Sequence, residues 1–180
     1  MNTDAIRMLL SEENISKHIA HYRDLCLKLS ILEKSEPELS AKPLCELIRM
    51  RIDRDIREQA AKLKWSILAH ECFFGSFAKD QGNNSLKIMN GKSRASFIYD
   101  IYVEACRREH GFLFVYLNKG VLKTDFDDTL KRAFIKYTPI LALDLYEHAY
   151  FWDYGFNKDL YLRSALAYLN TDRLNQAVTP

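Results

Sequence analysis

Pro139-Ile140-Leu141-Ala142-Leu143-Asp144-Leu145-Tyr146-Glu147-His148-Ala149-Tyr150 is the stretch whose reading decides this fold. Five apolar residues run straight into a carboxylate and, four positions later, an imidazole. A short apolar run with β-branched content reads as a buried strand. A strand ending in an acid and followed by a histidine delivers two metal-binding side chains to one place. Buried Asp and His are more often hydrogen-bonded core residues than ligands, so this stretch needs partners elsewhere in the chain.

Working outward, Asn157 to Leu169 reads as a closing helix, with Leu160, Leu162, Leu166 and Leu169 as apolar contacts. Upstream, Phe112-Leu113-Phe114-Val115-Tyr116-Leu117 reads as a strand, and Asn118-Lys119-Gly120 as a turn into a second strand from Val121 to about Thr124. The acidic patch Asp125-Phe126-Asp127-Asp128 precedes another helical-looking stretch, and a helix from about Ser93 to Arg108 leads in through Gly111. The turn-rich segments Gln81-Gly82-Asn83-Asn84-Ser85 and Asn90-Gly91-Lys92-Ser93 mark the expected boundary between an N-terminal helical hairpin domain, 1–80, and a C-terminal α/β domain, 90–180.

In the N-terminal half, Ser11 followed by Glu12 and Glu13 is a helix start, with acids near the positive end of the dipole. Ile15, His18, Ile19, Tyr22, Leu25, Cys26 and Leu29 recur at spacings of three and four, which turns His18 inward and leaves His21 off the centre of the stripe. Pro37 breaks this helix. A second inward stripe, starting near Ser40 with Pro43 in its first turn, carries Leu44, Leu47, Ile48, Ile52, Ile56, Ala60, Leu63, Ile67, His70 and Phe74. It is one unusually long helix or two in succession. The fold class expected is therefore α+β: an N-terminal antiparallel helical hairpin, then a mixed lobe with a three-stranded antiparallel sheet and surrounding helices.

The 180 residues suffice for one sizeable core or two small lobes. Apolar content of 48% with 28% charged residues argues against disorder, and a net charge of +2 with interleaved signs excludes a nucleic-acid footprint. Met1-Asn2-Thr3-Asp4 lacks a signal-peptide layout and no apolar run approaches a membrane span, so the expectation is a cytoplasmic protein with neither nucleic-acid nor membrane partners. Cys26, Cys45, Cys72 and Cys106 are widely spread, without a CxxC pair, and read as reduced thiols.

His18, His70, Asp144 and His148 then stand out as three imidazoles and one carboxylate on inward faces. Such a set suits iron, manganese or zinc.

With those residues in view, the chain resembles the iron/manganese superoxide dismutase family. Asp144-Leu145-Tyr146-Glu147-His148-Ala149-Tyr150 resembles the family's D-x-W-E-H-A-Y, and Tyr154, Asp159, Tyr161-Leu162 and Asn170 fit the pattern beyond it. Asp4-Ala5-Ile6, Ser11-Glu12-Glu13 and His18 run without gaps against the family's first helix, and Ala69-His70-Glu71-Cys72-Phe73-Phe74 resembles its N-H-x-x-F-W. The resemblance implies that His18, His70, Asp144 and His148 hold one Fe or Mn ion per chain, with superoxide as the substrate. It also implies a homodimer in which Glu147 bridges to His148 of the partner subunit. A rival register lays Lys17-His18-Ile19-Ala20-His21-Tyr22 on the family's K-H-H-x-x-Y and puts Asn14 at the first ligand; it needs a gap and discards a ligand.

Departures from the pattern bear on turnover. In the chosen register a histidine behind the ligands becomes Tyr22, the gateway tyrosine becomes Cys26, and the tyrosine that reaches that histidine across the dimer becomes Phe151. The tryptophans that wall the site become Phe74, Phe112 and Tyr146. The glutamine that hydrogen-bonds the metal-bound solvent falls on Ser66 in one layout and on Asp128 in the other. Tyr22, Cys26 and Asp128 are thus the candidates for catalytic roles around the metal. The expected function is dismutation of superoxide to oxygen and hydrogen peroxide. The alternatives are a structural or partner-binding relative and a different redox metalloenzyme.

Overall fold

The structure is a computed structural model and describes residues 4–79, 93–127 and 138–178. Helix α1 spans Glu12–Ser35, capped by the Ser11 hydroxyl, which accepts from the Asn14 amide at 3.2 Å. It buries Asn14, Ile15 and His18. Pro37 ends it, opening a 3-10 turn, Pro37–Leu39.

The second apolar stripe resolves into two helices. α2 is a single turn, Leu44–Leu47, with Pro43 at its N-cap, and α3 runs Arg54–Phe74. Asp53 forces the restart: its carboxylate accepts from the Asp55 and Ile56 amides at 2.9 and 3.2 Å, a cap that requires non-helical backbone at Asp53 itself. α1 and α3 pack antiparallel, because His18 meets His70, Tyr22 meets Glu71 and Glu33 meets Lys64. Leu39, Leu47 and Ala60 form a small core at the far end of this pair.

α4, Arg94–Cys106, leads to the sheet. β1 (Phe112–Asn118) is central, flanked antiparallel by β2 (Val121–Asp127) and β3 (Pro139–Asp144). Lys119 and Gly120 turn β1 into β2 with φ of 53° and 76°, the left-handed pair that a two-residue hairpin needs. β2 extends three residues beyond the expected Thr124. Phe126 covers Gly111, where φ is +112° and an added Cβ would stand 2.5 Å from the ring. The ladder continues to pair Phe112 with Asp127 on one side and Asp144 on the other.

Two helices join the one expected after β3. α5 covers Glu147–Tyr154, α6 Lys158–Ala167 and α7 Thr171–Val178. The Ser76 hydroxyl donates to Cys72 O and accepts from the Ala142 amide, both at 2.7 Å, fixing the end of α3 to β3. The main core joins Trp65 and Phe73 of α3, Phe112 and Phe114 of β1, Leu141 of β3 and Tyr161 of α6. Each such ring or aliphatic side chain stabilises the fold by roughly 1.5–3 kcal/mol through burial. No helix among the described residues is long and apolar enough to cross a membrane.

Candidate metal centre

α1, α3, β3 and α5 each send one polar side chain to a common point. His18 projects from the buried face of α1, His70 from α3 one turn before its end, Asp144 from the last position of β3, and His148 from the first turn of α5. The Nε2 atoms of His148, His18 and His70 lie 3.1, 3.3 and 3.9 Å from Asp144 Oδ2. One donor atom from each of the four lies within 4.8 Å of all the others. Donors held about 2.1 Å from a shared ion stand about 3 to 4 Å apart, and the three distances to Asp144 Oδ2 fall in that range.

His18, His70 and Asp144 are 1%, 2% and 0% exposed, whereas the His148 side chain is 37% exposed. Asp144 Oδ2 and the three Nε2 atoms find no hydrogen-bond partner among the described residues. Leaving one buried polar group unsatisfied costs on the order of 1–3 kcal/mol, so four converging at one point suit a cation rather than an apolar core.

Neighbours fix the orientation of these groups. His70 Nδ1 lies 2.6 Å from the Ser66 carbonyl, which can only accept. The proton therefore sits on Nδ1, and the Nε2 lone pair faces the cluster. Asp144 Oδ1 accepts from the Tyr146 amide at 2.9 Å, which leaves Oδ2 free to point inward. The Tyr161 hydroxyl donates to the Asp144 carbonyl at 2.8 Å and holds the strand end. Phe73 and Phe74 pack on His18, Phe112 on His70 and Tyr146 on His148, with ring centroids 5.0–5.5 Å apart. The aromatic wall expected from Phe74, Phe112 and Tyr146 is present in the fold.

Comparison with known proteins points the same way. Residues 102–177 match the family profile described as iron/manganese superoxide dismutases, C-terminal domain. The chain is also similar to a superoxide dismutase [Mn] of Listeria innocua, 24% identical over 187 residues, spanning 96% of this chain and 91% of that protein. The profile match covers the C-terminal part of the chain, and the likeness over its full length is distant. Members of this family bind Fe or Mn, and the three histidines and one aspartate supply donors suited to either.

The electrostatics of the cluster keep Asp144 ionised. Burial by itself pushes the Asp144 carboxyl up, but His148 and His18 outweigh it and hold the group well below the usual carboxylate range. Burial lowers His148, yet the Asp144 charge reverses the effect and leaves it raised. His70 falls to about 4, chiefly through burial, with Asp144 opposing.

The remaining sequence candidates are less central. Tyr22 is half-buried and its hydroxyl donates to Glu71 at 2.8 Å, while its ring stands edge-on to Phe74. Burial, then Glu71 and Cys26, push its phenol well up. Cys26 is a half-buried free thiol. Asp128 lies outside the described residues. Glu147 is exposed beside His148, and with Tyr146, Tyr150, His110 and Phe156 it lines a cavity of about 700 Å³ at the open side of the centre. Asn14 is buried, and its side-chain amide donates to Ala149 O at 3.2 Å and Asp153 Oδ2 at 2.9 Å, tying α1 to α5.

His21 is the residue that periodicity passed over. Its ring centroid lies 4.8 Å from that of His148 and 5.4 Å from that of His70. Burial, then His148 and His18, lower its pKa against the opposing pull of Asp144 and Asp24. Its spacing of three from His18 was the available signal, since residues three apart are helix neighbours.

Proposed function

We propose that this protein is a metal-dependent superoxide dismutase, in which His18, His70, Asp144 and His148 hold one iron or manganese ion and two superoxide ions plus two protons give oxygen and hydrogen peroxide. The observation that carries the reading is the convergence of four buried donor atoms, within 4.8 Å of one another, that are otherwise without hydrogen bonds. The match of residues 102–177 to the C-terminal domain of iron/manganese superoxide dismutases supports the choice of reaction. When bound, the ion supplies one-electron chemistry by alternating between its trivalent and divalent states.

The chain's part is to hold, orient and exclude. Neutral imidazoles and one carboxylate give a donor set of net charge −1, which offsets part of the ion's charge. Ser66 O keeps His70 in the tautomer that presents Nε2. Phe73, Phe74 and Phe112 keep water from the buried side, and the half-open flank at His148 leaves a path for a small anion. On the α1–α3 side, Tyr22, Cys26 and Glu71 form a polar group that can hold protons. In a homodimer, Glu147 at the exposed rim reaches His148 of the partner subunit.

Protein loaded with iron or manganese should remove superoxide in a pulse-radiolysis assay far faster than the same concentration of free metal. Loaded protein that does no better than free metal sinks the proposal. A second reading, a metal-holding relative that binds partners without turnover, is favoured by the Tyr22 hydroxyl, which is bonded to Glu71. Stoichiometric metal without superoxide removal selects it.

A further inference from the structure

Three of the four proposed donors lie at 2% exposure or less behind phenylalanine rings, so a hydrated ion cannot reach them directly. Solvent meets the cluster through His148, and beside His148 stands His21, itself exposed. His18, His70 and His148 have ring centroids 5.1–5.7 Å from one another. His21 stands 4.8 Å from His148 and 5.4 Å from His70, so it is as near to the cluster imidazoles as they are to each other. Yet His21 is not among the four whose donor atoms converge. It is a fourth imidazole, on the solvent side of a pocket of three imidazoles and one carboxylate.

Imidazole nitrogen binds divalent first-row transition ions well, and two such rings side by side bind them better than either alone. Asp24, three residues along α1 and paired with Lys28 at 2.6 Å, also acts electrostatically on His21. His148 belongs to both groups: it touches His21 outside and Asp144 inside.

We infer that His21 and His148 form a capture site for a divalent transition-metal ion at the mouth of the centre, from which the ion passes to His18, His70 and Asp144. The inference rests on the ligand assignment proposed above and is independent of superoxide turnover. Capture by His21 lets the ion shed part of its hydration shell in two stages, with an imidazole replacing water at the first. Once the ion is seated, His21 is released and plays no part in holding it.

The test follows uptake of cobalt(II) by metal-free protein, since its visible absorption reports the donor set. Wild type should take up one ion per chain. His21→Ala should reach the same stoichiometry and the same final spectrum, but with uptake slowed by about 10- to 100-fold, the scale on which residues bordering a metal site act. His21→Cys, which restores a donor at that position, should recover most of the rate. Uptake by His21→Ala at the wild-type rate overturns the capture site while leaving the ligand assignment standing. A changed final spectrum or lost stoichiometry in that variant also overturns it, by making His21 a permanent ligand. Wild type that takes up no stoichiometric ion overturns both.

Discussion

Replacing His70 with Ala separates metal binding from packing within one variant. The ring is 2% exposed and packs against Phe112 and His18, so truncation leaves a cavity that costs about 2–4 kcal/mol whether or not metal is present. The metal contribution is separable. At free metal a thousandfold above its dissociation constant, binding stabilises the folded state by about 4.1 kcal/mol. If loss of one of four donors weakens binding about a thousandfold, the same metal concentration stabilises the variant by only about 0.4 kcal/mol. The difference, about 3.7 kcal/mol, corresponds to roughly 7–15 °C in Tm for a chain of this size. Differential scanning calorimetry on wild type and His70→Ala, each with and without manganese(II) or iron(II), gives the four transitions needed. The variant's metal-free transition should fall because of the cavity, and its metal-induced shift should nearly vanish. A metal-induced rise in the variant equal to that of wild type refutes the assignment of His70, however unstable the variant proves to be.

Three further outcomes are expected. Asn14→Ala should retain one metal ion per chain by elemental analysis and lose about 1–3 kcal/mol in urea unfolding, because its buried amide ties α1 to Ala149 and Asp153; loss of metal would transfer the first ligand to Asn14. In metal-free protein, His70 is depressed from 6.5 to about 4, so the unfolded chain binds a proton that the folded chain refuses, and stability should fall by up to roughly 3 kcal/mol as pH drops from 6.5 towards 4. His148 is raised and acts in the opposite sense, and Asp144 contributes its own loss only below its unfolded value near 3.8; a His70→Gln variant with the same pH slope as wild type contradicts the assignment of that slope to His70. Alkylation at pH 8 should tag the exposed Cys45 and Cys106 well before Cys72, whose thiol burial pushes up to about 12, and equal labelling in peptide mass spectrometry would overturn that order.

Much of this architecture is written locally. The Ser11 cap, the Pro37 stop, the apolar β1 run and the Lys119-Gly120 turn each act within a few residues, so composition and spacing reveal them. What the sequence missed or left open has several causes. The break before α3 hangs on Asp53 turning its side chain back to its own amides, where apolar spacing continues unbroken. The strand character of Asp125–Asp127 comes from ladder pairing with Phe112–Phe114, and no local propensity announces it. α5 and α7 have only eight residues each, too short for periodicity to stand out.

The candidate centre divides along the same line. The sequence by itself determined which side chains were available: His18 and His70 on inward helix faces, Asp144 at a strand end and His148 four positions later. Only the tertiary structure decided that their donor atoms meet within 4.8 Å, because that distance depends on α1, α3, β3 and α5 packing around one point. It also decided that Asn14 tethers α1 to α5 and that His21 joins the mouth of the cluster. Helical periodicity separates inside from outside but cannot say which outside residue stands beside a gap in the wall. That position is fixed by where α5 ends up against α1, a contact between residues more than a hundred positions apart.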